Sequence, residues 1–171
     1  MTDSQAGDAR TWMDKLALAE LLAVLSSAVD RADRTRIESC YTEDSFDDHG
    51  TFKGTGAAFA EFVCRPGPMR SMHHLLGQSV FDVQGDEAWG ETFYVFHGQA
   101  GAAGVTGHGR YADYFRRVDG AWKLAYRRVV PDAVPAGDDA ASYWQPRRDG
   151  DDPSYDRLRR PDDADAGATT A

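Results

Sequence analysis

Two adjacent histidines, His73 and His74, open the run "MHHLLGQSVFDV". A neutral imidazole has a pKa near ~6.5 and takes up a proton close to neutral pH, so a histidine facing a pocket suits general-base work. Strand alternation sends the two side chains to opposite faces, and only one of them can enter an interior. A carboxylate that accepts from the other ring N–H fixes the tautomer and stabilises the imidazolium. Asp30, at the end of a helical stretch, is a candidate carboxylate, with capping or solvation as its ordinary role. Arg127 and Arg128 are neighbours in a strand-like run, so one of them should face solvent and the other is free to receive developing negative charge. Tyr41, Phe46, Trp89, Phe93 and Tyr111 are candidates to line an apolar cavity, each with a core role as the alternative. His49 follows Asp47 and Asp48, but the spacing matches no standard metal-ligand arrangement. His108, between glycines in "TGHGR", reads as a loop residue.

The elements that must carry these groups can be read from periodicity. Leu18, Leu21, Leu22, Leu25 and Val29 make one apolar helical stripe, which predicts a helix over about residues 11–31 with Thr11 and Asp14 as a capping box. A short helix capped by Asp33 runs through "RTRIESCY". "TFKG" is a brief strand, and "TGAAFAEFVCR" is a third helix stopped by "PGP". Two hairpins follow: "MHHLLGQSVFDV" with "AWGETFYVFHGQ", then "RYADYFRRV" with "AWKLAYRRVV", joined by a glycine-rich connection "AGAAGVTGHG". Helices first and strands after predict an α+β fold, with three helices packed on a strongly curved antiparallel sheet that encloses a cone-shaped pocket.

Composition narrows the function. The chain has 171 residues, long enough for one domain with a real core. Nineteen Lys and Arg against 28 Asp and Glu give a net charge of -9 with no basic cluster, which argues against nucleic-acid or membrane partners. No apolar run is long enough to span a bilayer and the first residues lack signal-peptide character, so a cytoplasmic location is expected. Cys40 and Cys64 form no metal or redox motif. No nucleotide-binding or phosphate-binding glycine motif is present, and neither metal nor organic cofactor is expected. Residues 1–131 read as the domain. Residues 132–171, with ten Asp and five Arg, read as an acidic tail whose aromatics Tyr143, Trp144 and Tyr155 pack on the body or a neighbour, while its last residues, "DDADAGATTA", read as disordered.

The succession "SAVDRADRTRIESCYTEDSFDDHGTFKG", "MHHLLGQ" and "YFRRVDGAWKLAYRRV" resembles the SnoaL-like branch of the nuclear-transport-factor-two-like superfamily, over about residues 11–130. The nearest pattern is that of the hexachlorocyclohexane dehydrochlorinases, with scytalone dehydratases and bile-acid dehydratases more distant. The resemblance implies a cofactor-independent lyase with His73 as base, Asp30 as its orienting partner and Arg127 receiving charge. His73 fits through "SMH", Asp30 through "AVD", and Arg127 through its place five residues after Trp122. It places His97 near a second pocket histidine, whereas Val29 stands where scytalone dehydratases carry a Tyr. It implies a small hydrophobic substrate, cyclic or aromatic, that loses water, halide or a carbon fragment such as formaldehyde. A homo-oligomer, dimer or trimer, is also implied. The alternatives are an isomerase or polyketide cyclase with Asp30 as base, separated by product mass, and a non-catalytic binding module, separated by a filled pocket.

Overall fold

The computed structural model describes residues 9–133, 141 and 143–155 of the chain. Helix α1 (Ala9–Asp30) buries Leu18, Leu22, Leu25 and Val29, the stripe that its spacing predicts. It begins at Ala9 among the described residues and so already runs through Thr11, which is not its first residue. Asp14 instead accepts from Arg117 Nη2 at 2.6 Å and from Trp122 Nε1 at 3.2 Å, tying the helix to the sheet. Helix α2 (Arg34–Ser39) starts where the Asp33 carboxylate accepts from the Arg36 N–H at 3.1 Å. Helix α3 (Gly56–Cys64) is capped by the Thr55 hydroxyl, which accepts from the Ala58 N–H at 3.2 Å, and ends ahead of Pro66.

The sheet has six strands, the four of the two hairpins, the brief strand expected in "TFKG" and one more: β1 (Tyr41–Asp48), β2 (Lys53–Gly54), β3 (Met69–Gln84), β4 (Glu87–Ala100), β5 (Ala103–Val118) and β6 (Ala121–Pro131). Their order is β2-β1-β6-β5-β4-β3, antiparallel except that β1 runs parallel to β6. Tyr41, expected to finish the second helix, and the polar segment after it are thus a strand. The glycine-rich connection is also mostly strand, since β5 begins at Ala103 after a turn at Gly101. Register shifts between Leu76 and Ser79 and between Tyr114 and Phe115 bend the long strands. The result is a curved, unclosed sheet with three helices against one face, the α+β plan that was expected. Leu18, Leu22, Leu25, Ile37, Phe59, Phe81, Phe115, Trp122 and Leu124 form the main core between helices and sheet.

On the other face a smaller cluster of Ala112, Tyr114 and Tyr126 gathers Phe46 and Trp89. Segment 143–155 lies on this outer face: Arg110 Nη1 and Nη2 grip the Asp152 carboxylate at 2.9 and 3.0 Å, and Trp144 stacks under the Arg128 guanidinium at 3.6 Å. The final acidic residues fall outside the described part of the chain. No helix among the described residues is long and apolar enough to cross a membrane.

Candidate functional site

Helix α1 ends at Asp30, and the chain leaves it through Ala32, which has a positive φ of 51°. This brings the last carboxylate of the helix against the start of β3. Asp30 Oδ2 accepts the backbone N–H of His74 at 3.0 Å, and Asp30 Oδ1 lies 2.6 Å from His74 Nδ1. One oxygen therefore fixes the strand and the other fixes the ring. With Nδ1–H given to the carboxylate, Nε2 carries the lone pair. The ring of Phe96 flanks the imidazole with centroids 5.0 Å apart. Burial lowers the pKa of His74 below its ordinary value. Asp30 pulls it back up, and the charges of His49 and Arg127 push it down again. A neutral, basic imidazole at neutral pH is the consequence. Beside it lies a cleft of about 310 Å³ between α1 and β3, lined by Ser26, Ser27, Asp30, His73, His74 and Leu76 among others.

Deeper in the interior, three charged residues form a row across adjacent strands. Asp47 of β1 and Asp113 of β5 both pair in register with Arg127 of β6. Arg127 Nε and Nη2 donate to Asp113 at 2.8 and 2.7 Å, and both side chains are almost fully buried. Burial disfavours the guanidinium charge, but Asp113 outweighs it and Arg127 stays protonated. Its guanidinium lies 3.9 Å from the Tyr111 ring centroid, and Tyr111 in turn stacks on Tyr94 at 4.3 Å. Asp47 is satisfied from the other side: Tyr41 Oη donates to it at 2.5 Å, and His49 Nδ1 contacts its second oxygen. Burial, followed by the nearby Asp47 charge, raises the Tyr41 pKa well above the tyrosine range, so the phenol remains a donor. His49 stacks on Phe59 of α3 at 4.5 Å and faces Tyr111 at 6.4 Å.

Several expectations need correction. The partner of Asp30 is His74, not His73. Met72, His74 and Leu76 share a face, and Met72 and Leu76 pack on the core, whereas His73 shares the opposite face with the exposed Leu75. His97 pairs in register with His73 and is exposed, its Nδ1 2.9 Å from the Thr106 hydroxyl, so it is no pocket histidine. Phe96, one residue earlier, is the inward neighbour. Phe46 and Trp89 belong to the outer cluster, Trp89 stacking on Tyr114 at 5.5 Å. Phe93 pairs with Arg110, whose side chain meets Asp152 on that same outer face. Tyr41 and Tyr111 point inward. Arg127 does too, but as the partner of Asp113 rather than as a lone cation. His108 stays at the surface, 3.4 Å from Asp132.

Sequence reasoning missed Asp47 with His49, Asp113, Tyr94 and Phe96. For the first pair a signal existed, since residues two apart on an extended chain share a face. Among the described residues no group of three His, Cys, Asp or Glu is arranged to hold a metal ion.

The geometry is that of a small cone with a polar interior, and the sequence agrees: residues 10–128 match the SnoaL-like domain, and the chain belongs to that family. No curated protein matches it. Among solved structures it is similar to a Mycobacterium tuberculosis protein of unknown function, at 26% identity and a TM-score of 0.66, covering 77% of this chain and 79% of that one. It is also similar to a type 2 hexachlorocyclohexane dehydrochlorinase, at 19% identity and a TM-score of 0.68, covering 84% and 100% of the two chains. A Novosphingobium aromaticivorans protein provisionally named scytalone dehydratase gives 17%, 0.67, and coverage of 75% and 90%.

Proposed function

We propose that this protein is a cofactor-independent lyase that acts on a small hydrophobic cyclic molecule by proton abstraction and β-elimination, with His74 as the base. The observation that carries the reading is the double contact of Asp30 with His74, through the backbone N–H at 3.0 Å and the ring at 2.6 Å. The carboxylate holds the imidazole in one orientation and one tautomer, and it stabilises the imidazolium that forms once Nε2 has taken a proton from carbon. Burial keeps the ring neutral beforehand. Phe96 offers flat apolar surface beside it, suited to a ring. Arg127, neutralised by Asp113, orders the interior rather than receiving a free anion.

An isomerase with Asp30 as its own base fits less well, because both carboxylate oxygens are engaged by His74. The family contains dehydratase-like and dehydrochlorinase-like folds among its neighbours, which supports small-molecule chemistry without fixing the leaving group. Replacing His74 by Ala should lower turnover at least ~100-fold, the usual scale of general-base catalysis, while His73→Ala should lower it less than ~5-fold. Steady-state rates of the two variants on a cyclic substrate with an acidic C–H decide it. Near-normal turnover by the His74 variant would exclude the role.

A further inference from the structure

The cleft that holds Asp30 and His74 also holds a cation, and the reading of His74 as base makes no use of it. Arg31 lines the same space of about 310 Å³, together with Ser26, Ser27 and Leu76. Helical side chains lean toward the N-terminus. Arg31 accordingly reaches one turn back, where Nη1 donates to the Ser27 carbonyl and to the Ser27 hydroxyl, each at 2.8 Å. That fixes one end of an exposed guanidinium. Its other edge, Nε with Nη2, meets no partner among the described residues. Arg127 presents this same edge to Asp113 at 2.8 and 2.7 Å, because two parallel N–H groups match the two oxygens of a carboxylate. Asp30, the neighbour in the chain, does not fill that place, since one of its oxygens takes the His74 backbone N–H and the other the His74 ring. Capping of α1 explains the bond to the Ser27 carbonyl. It leaves the open edge beside the dyad unexplained.

We propose that Arg31 receives a carboxylate of the substrate, which makes that substrate a small cyclic carboxylic acid; this rests on the reading of His74 as base. Charge selects a carboxylate over a phosphate. Asp30 already places one negative charge in the cleft, and Arg31 is the one permanent cation among the residues that line it. A single carboxylate finds its match there, whereas the second charge of a phosphate would find none. Size selects a single ring, because the volume lies at the lower end of the ~300–1,000 Å³ typical of small-molecule pockets. Ala23 and Leu76 supply apolar wall for that ring. The carboxylate acts as a handle: held on Arg31, it orients the ring toward His74 without taking part in the bonds that change. The Ser27 contacts make the handle site rigid beforehand, so that little side-chain freedom is lost on binding.

The test titrates the full chain with benzoate, benzamide and phenyl phosphate and follows the NMR signals of the His74 ring, which report affinity and place together. Benzoate should shift those signals and bind at least ~10-fold more tightly than benzamide, the scale of a charge-assisted pair. Arg31→Gln should abolish the preference for benzoate. Ser27→Ala, which frees one contact of Nη1, should reduce it ~2- to 5-fold. Arg34→Gln, which removes a guanidinium held by Glu38 on α2, should leave it unchanged and so controls for net charge. Equal affinity for benzoate and benzamide, a preference that survives Arg31→Gln, or binding that leaves the His74 signals unmoved overturns the handle while the base stands. Phenyl phosphate binding more tightly than benzoate overturns the choice of a carboxylate. The base fails by a different reading: near-normal turnover of His74→Ala overturns it, and with it the carboxylate as part of the substrate, even where benzoate binds.

Discussion

Burial and Asp30 pull the protonation of His74 in opposite directions, and burial prevails, so the ring titrates below its ordinary value. A base with a depressed pKa stays active as pH falls through ~6.5 and loses activity only further down. The acid limb of a kcat/KM profile should accordingly have its midpoint below ~6.5. Asp30→Asn removes the group that raises the pKa, so the limb should move to still lower pH while the plateau falls. A limb that moves up, or stays in place, would mean that the titrating group is not His74. The choice between His73 and His74 shows what the sequence carries at this scale. Alternation alone says that one histidine enters, and the resemblance picked the wrong one by a single step. The neighbours held the answer: Met72 and Leu76 on one parity against Ser71, Leu75 and Gly77 on the other. The apolar parity is the buried one, and His74 lies on it.

At the scale of elements, the helices and the two hairpins were legible because their apolar residues repeat with period 3.6 or 2. Strand β1 was not. "YTEDSFDD" carries four acidic residues in eight, a composition that disfavours strands and suggests exposure. It forms because parallel pairing with β6 satisfies its backbone, and because Asp47 and Asp48 find donors in Tyr41, His49, the Gly50 N–H and Lys53. The donors lie within six residues of their carboxylates, but β6, the strand that orders this stretch, lies some eighty residues on, beyond any local pattern. The strand also depends on close approach by α3, whose Gly56 N–H donates to Ser45 Oγ at 3.0 Å. A Cβ at Gly56 would overlap the Tyr41 ring, the donor to Asp47. Gly56→Ala should therefore destabilise the fold by about 1–3 kcal/mol, as overpacking of a core does. Gly67→Ala, where the new Cβ meets only a carbonyl 3.8 Å away, should stay within about 0.5 kcal/mol. Urea denaturation of the two variants checks the contrast, and equal stabilities would show that Tyr41 moves aside at little cost.

For the whole molecule, the question is what holds segment 143–155 on the sheet. Its centre is Asp152, 2% exposed, which accepts from both terminal nitrogens of Arg110, from the backbone N–H groups of Arg147 and Ser154, and from the Ser154 hydroxyl. Burial raises its pKa, but the Ser154 hydroxyl, the two N–H groups and Arg110 together lower it to about 2. A carboxylate whose pKa is lower in the packed state contributes stability above its ordinary value near ~3.9 and loses that contribution as pH falls toward the packed value. Release of the segment is thus expected between about pH 4 and pH 2, ahead of the strands beneath it, whose backbone pairing does not titrate. Asp152→Asn should mimic the acid state at neutral pH, because a neutral amide cannot replace the charge that meets Arg110. Amide exchange across 143–155 should then speed up at least ~10-fold while β5 and β6 keep their protection. Pepsin should nick the unaltered chain in this segment first as pH drops through the window. Protection of the segment that survives both the substitution and pH 2 would move its anchorage from Asp152 to the stack of Trp144 on Arg128.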